Sequence, residues 1–150
     1  MVDENAWRDW GRNAAGKIKK ADEAEHLELK QRALNDQLRQ QAAPRLWEET
    51  RKQLRMAYDS LSADLSNPGR LQWDDKSSNE VSIRTANGKS TVHLRFDHRT
   101  LELRTDLQVY EPQVADQQGT VLWAGQELPV YPHEVARKVM DYLVDSISNR

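Results

Sequence analysis

The chain has 150 residues, 37% of them hydrophobic and 31% charged, with a formal net charge of −2 and no cysteine. That composition supports one modest core. It excludes disulfides and zinc–thiolate sites, and its near-neutral balance argues against a general affinity for nucleic acid or anionic membrane.

The opening stretch, MVDENAWRDW, is acidic and polar, unlike a signal or transit peptide. No apolar run approaches the roughly 20 residues of a membrane span. A cytoplasmic protein with no membrane partner is therefore expected. Residues 3–66 are rich in Ala, Leu, Gln, Glu, Lys and Arg, all strong helix formers. Leu27, Leu34 and Leu38 form a thin apolar stripe, which Trp7, Trp10, Ala14, Ile18 and Ala21 extend toward the N-terminus. Gly11 and Gly16 each cost about 1 kcal/mol inside a helix, so fraying is expected there. The basic groups, KIKK at 17–20 and Arg51, Lys52 and Arg55, have acidic neighbours and read as mixed-charge faces.

Pro44 either kinks one long helix or separates the two arms of a helical hairpin. The preceding Gln40, Gln41, Ala42 and Ala43 cap poorly, which favours the kink. Trp47, Leu54, Tyr58, Leu61 and Leu65 then recur at helical spacing, predicting a helix over 45–64. Asn67, Pro68 and Gly69 are breakers that end it.

Strands follow. A short one is expected at 71–74, with WDDKSSNE read as a solvated loop. Residues 80–85 and 91–96 alternate apolar and polar around ANGK, the strongest hairpin signal in the chain. A two-residue Asn87–Gly88 loop sets Ile83 opposite Val92, Val81 opposite Leu94, Ser82 opposite His93 and Glu80 opposite Arg95. A turn near DHRT and a third strand at 100–106 or on to Tyr110 then set Phe96 opposite Leu101, Arg95 opposite Glu102 and His93 opposite Arg104. One face becomes core: Val81, Ile83, Val92, Leu94, Phe96, Leu101 and Leu103. The other carries a Glu80–Arg95–Glu102 charge ladder, which reads as a solvated surface. Pro112 marks an edge or strand end, and 120–124 forms a further strand. A C-terminal helix over 132–147 starts at Pro132 and buries Val135, Val139, Leu143 and Ile147.

The resulting fold is α+β. A long N-terminal helical segment, kinked or hairpinned at Pro44, precedes a four- or five-stranded antiparallel meander, with a C-terminal helix packed on one sheet face. Residues 1–43 form the helical extension and 44–150 the α+β domain.

Chemistry is sparse. His26, His93, His98 and His133 lack any metal-binding spacing, and no phosphate loop or nucleophile elbow is present. No catalytic residue, metal or cofactor is assigned, and a non-enzymatic protein is expected. The leading reading is an interaction or scaffolding module that forms a homodimer or binds a protein partner through its N-terminal helix, using Trp7, Trp10, Leu27, Leu34 and Leu38. One alternative is a carrier of a small apolar ligand, its cavity lined by Phe96, Leu103, Trp123, Met140 and Leu143. The other is weak nucleic-acid binding on the polar sheet face through Arg84, His93 and Arg104.

Overall fold

The run of strong helix formers before residue 65 forms a single helix, α1, over Glu4–Asp64, in a computed structural model that describes residues 3–67, 69–126 and 128–149. The helix passes through Pro44 without a break, so the hairpin alternative does not occur. It also passes through Gly11 and Gly16, where fraying was expected. Asp3 begins it, its carboxylate accepting the Ala6 N–H at 2.8 Å. Pro68, one of the expected breakers, lies outside the described residues; after the helix, Asn67 accepts the Gly69 N–H on its side chain at 3.0 Å. The chain divides into two units, residues 1–37 and 38–150.

The second unit contains the sheet. Its strands are β1 (Leu71–Ser77), β2 (Glu80–Thr85), β3 (Thr91–Phe96), β4 (Leu103–Thr105), β5 (Val109–Val114) and β6 (Val121–Ala124). They run as an antiparallel meander in chain order. The count is six because the third strand expected at 100–106 or on to Tyr110 is divided by a turn, where the Thr105 N–H bonds the Gln108 carbonyl at 3.1 Å, into β4 and a separate β5. WDDKSSNE, read as a loop, is the far part of β1 and a tight return into β2, with a bulge between Asp75 and Ser77. Polar residues are accommodated in β1 because Gln72 faces outward, while Asp75 on the core side meets Arg51 of α1 at 2.8 Å.

The central hairpin has the expected register: Glu80–Arg95, Val81–Leu94, Ser82–His93, Ile83–Val92 and Arg84–Thr91. Its loop is wider than two residues. Thr85 N–H bonds the Ser90 carbonyl at 2.9 Å, and Gly88, at φ 71, donates back to Thr85. The wider loop leaves the register intact because it widens both arms equally.

The next connection departs from expectation. Phe96 faces Leu103, Arg95 faces Arg104 and Leu94 faces Thr105, a shift of two residues. The cause is the loop between β3 and β4. The Asp97 carboxylate accepts Arg99 N–H at 2.8 Å, Leu101 N–H bonds the Asp97 carbonyl at 2.7 Å, and Leu101 itself adopts φ 63. That turn consumes residues expected in the strand. An even shift keeps side-chain parity, so Leu103 is still core. The ladder becomes Glu80–Arg95–Arg104, with Glu102 paired instead to Arg104 at 3.3 Å. His93 has no Arg104 opposite; Asp106 accepts its backbone N–H.

Pro112 lies inside β5, opposite Trp123. Trp123 spends its backbone N–H and carbonyl on Val130, so the missing Pro112 N–H leaves nothing unpaired there. Beyond the Leu103–Tyr110 pair β4 has turned away, and the Pro112 carbonyl takes the Arg39 Nε–H at 2.7 Å.

Helix α2 (Pro132–Ser148) begins with Pro at its first position and buries Val135, Ala136, Val139, Met140 and Leu143, one face at helical spacing. With Ala43, Leu46, Trp47 and Leu54 of α1 it covers the apolar side of the sheet. Trp47 and Trp123 each lie 6.2 Å from Phe96, ring to ring. The two indole N–H groups are satisfied inside this core: Trp47 donates to the Ser78 carbonyl at 2.8 Å and Trp123 to the Thr50 hydroxyl at 2.8 Å.

Candidate functional site

Residues 4–37 form a helix whose largest apolar side chains face solvent: Trp7 is 59% exposed, Trp10 62%, Ile18 62%, Leu27 66%, Leu29 55% and Leu34 48%. Single exposed apolar residues are ordinary, but a periodic series is not. At about 100° per residue, Trp7, Trp10, Ala14, Ile18 and Ala21 fall within an arc of about 80°. The Trp7 and Trp10 rings meet edge to face at 5.6 Å. In an unbroken helix Leu27 and Leu34 fall about 180° away from Ile18 and Trp7 respectively. The Trp series therefore does not extend the Leu27–Leu34 stripe; the helix carries two separate apolar faces, with Leu29, about 20° from Ile18, on the Trp side. Leu38 belongs to the second unit, where it packs partly buried against the core, 3.3 Å from where a side chain on Gly119 would begin.

The polar side of the sheet presents Arg84, His93, Arg95 and Arg104, all exposed. Arg84 donates to Gln72 at 3.2 Å, and His93 Nδ1 lies 3.1 Å from the Ser82 hydroxyl. At one end a polar groove of about 400 Å³ is lined by Asn79, Glu80, Arg95, Asp97, His98 and Arg99, among others. His98 bonds Asn79 at 2.7 Å and packs against Phe96. Asp97 sits below the ordinary carboxylate value because the Arg99 and Thr100 N–H groups and the nearby Arg95 and Arg104 favour its charged form. The groove thus holds cations already balanced by carboxylates.

A second cluster lies between α1 and β1. Arg51 pairs with Asp75, and Arg55 sits over the Trp73 and Tyr58 rings at 4.9 and 5.2 Å. Partial burial raises the Asp75 pKa, but the Arg51 hydrogen bond, the Trp73 indole, and the Arg51 and Arg55 charges outweigh it, leaving the group below 3.8. The Trp73 N–H contributes without a well-formed hydrogen bond of its own. This cluster fastens helix to strand, and the periodicity of neither segment revealed it, because it depends on which strand lies beneath Arg51.

The five residues considered as the lining of an apolar cavity, Phe96, Leu103, Trp123, Met140 and Leu143, belong to the buried core cluster. Among the described residues no three His, Asp or Glu side chains converge as metal ligands, and no helix is long and apolar enough to cross a membrane.

The architecture is thus an α+β meander module with a helical extension. Comparison with protein-family models, curated proteins and solved structures finds no match.

Proposed function

We propose that this chain is a non-enzymatic interaction or scaffolding module that docks through its N-terminal helix, onto a second copy or another partner, in a cytoplasmic setting. The observation that carries this reading is the periodic exposure of Trp7, Trp10 and Ile18 on one helical face and Leu27 and Leu34 on another. Burying a Leu or Ile side chain gains roughly 1.5–3 kcal/mol, and Trp is enriched among residues that dominate interface energy. The body supports the reading by contrast: it buries a core of aromatic and aliphatic residues and leaves others, such as Leu128 and Tyr131, exposed, whereas none of the large apolar side chains of residues 4–37 is buried.

Light scattering on the full chain across the micromolar range tests the self-association arm. A mass above the 17.4 kDa of one chain, reduced by Leu27→Ser with Leu34→Ser or by Trp7→Ser with Trp10→Ser, supports it. A 17.4 kDa species unaffected by either pair removes self-association and confines the reading to a different partner.

A further inference from the structure

We infer that the Trp7–Ala21 face docks on an anionic lipid surface, an inference that rests on the proposed docking role of the helix and names its partner. Charge along the helix is segregated, which the net −2 of the chain conceals. Residues 8–20 carry five cations, Arg8, Arg12, Lys17, Lys19 and Lys20, against one anion, Asp9. Residues 22–28 carry four anions, Asp22, Glu23, Glu25 and Glu28, and no Lys or Arg. Among the described residues, none of the five cations is in an ion pair or side-chain hydrogen bond.

Geometry places these charges around the apolar face. Taking about 100° per residue, Lys17 and Lys20 lie to one side of the Trp7–Ala21 arc and Arg8, Lys19 and Arg12 to the other. Long cationic side chains can lay their stems along a surface and keep their heads at the phosphate level. Two indoles, an Ile and small residues on one side, with cations around the rest, make an interfacial helix, not a spanning one. Trp suits that depth because its ring is apolar and its N–H is polar.

Charge also decides against a second copy on this face. A copy confined to residues 7–21 sets five cations against five. A copy displaced along the helix puts Glu25 and Glu28, which continue the same arc, into the apolar seam. A bilayer rich in anionic headgroups neutralises the cations and accepts the indoles; past Ala21 the same face carries Glu25 and Glu28 beside Leu29, so the cationic part of the face ends where the acids begin.

The test is co-sedimentation of the full-length protein with vesicles of phosphatidylcholine alone and of phosphatidylcholine with phosphatidylglycerol, at low and high salt. The inference expects at least about tenfold tighter binding to the anionic vesicles and about tenfold weakening at high salt. Lys17→Glu with Lys19→Glu and Lys20→Glu should weaken binding about a hundredfold. Trp7→Ala with Trp10→Ala should abolish it; both variants keep exposed positions of one helix, and circular dichroism checks that the helix persists. Equal binding to both vesicles, no binding at low salt, or binding that survives the Trp substitutions overturns the inference. So does equal binding to polyglutamate, which marks an acidic protein partner. Light scattering on the same samples separates the two readings. Trp-dependent self-association without vesicle binding keeps the docking role and removes lipid; neither property removes lipid and a second copy alike and confines docking to a protein partner.

Discussion

Thr50 sits inside α1 yet is fully buried, where a hydroxyl needs a partner on every side. It donates to the Leu46 carbonyl one turn back at 2.6 Å and accepts the Trp123 indole N–H at 2.8 Å. Thr at mid-helix is tolerated because of that back-bond, and the indole can be buried because of the hydroxyl. Thr50→Val keeps the shape and strands the indole N–H, so urea titration should find a loss of about 1–3 kcal/mol; an unchanged midpoint would show that the contact is dispensable. Asp75 is the charged counterpart. Its folded pKa is depressed, so its contribution is present above the ordinary 3.8 and disappears as pH falls through the lower folded value. The carboxylate is 47% exposed, which limits the Arg51 pair to at most about 1 kcal/mol. Asp75→Asn should therefore lower stability slightly at pH 7, with the difference from wild type vanishing below the depressed pKa. A difference that persists in acid would mean that the amide disturbs packing instead.

At the level of elements, the loops show what could be read in advance. Side-chain parity in β2 and β3 was legible because period-two alternation determines it. The β3–β4 shift was not, because nothing in DHRTLE announces that Asp97 would fold back or that Leu101, neither Gly nor Asn, would take positive φ. The far end of β1 was missed because its polar residues resemble a loop until Arg51 is set beside Asp75. The apolar residues of the N-terminal helix were legible as such; their division into two faces emerges only when the helix is continuous. Two glycines test the element scale. Gly88 and Gly119 both have positive φ, 71° and 84°, but only at Gly119 would a Cβ meet a neighbour, Leu38 at 3.3 Å. Gly88→Ala should cost about 1–2 kcal/mol through backbone strain, and Gly119→Ala more, since Leu38 must also move. Equal losses in parallel denaturation curves would show that Leu38 gives way freely.

The two units of the molecule differ in what sustains them. Residues 38–150 hold a core in which both helices and all six strands bury side chains. Residues 4–37 bury no side chain and carry helix backbone bonds and local pairs such as Arg32–Glu28 at 3.5 Å, and a helix without a packed face is marginal in water. The proposed docking role rests on that contrast: a partner that covers the apolar faces of the first unit would stabilise it. Hydrogen exchange on the dilute full-length chain, alone and with phosphatidylglycerol-containing vesicles, tests this most directly. The account predicts slow exchange at 81–85 and 92–96 in both samples, and fast exchange over 7–21 that slows by at least about tenfold once vesicles are present. Protection of 7–21 equal to that of the central strands in the dilute, vesicle-free sample would contradict it.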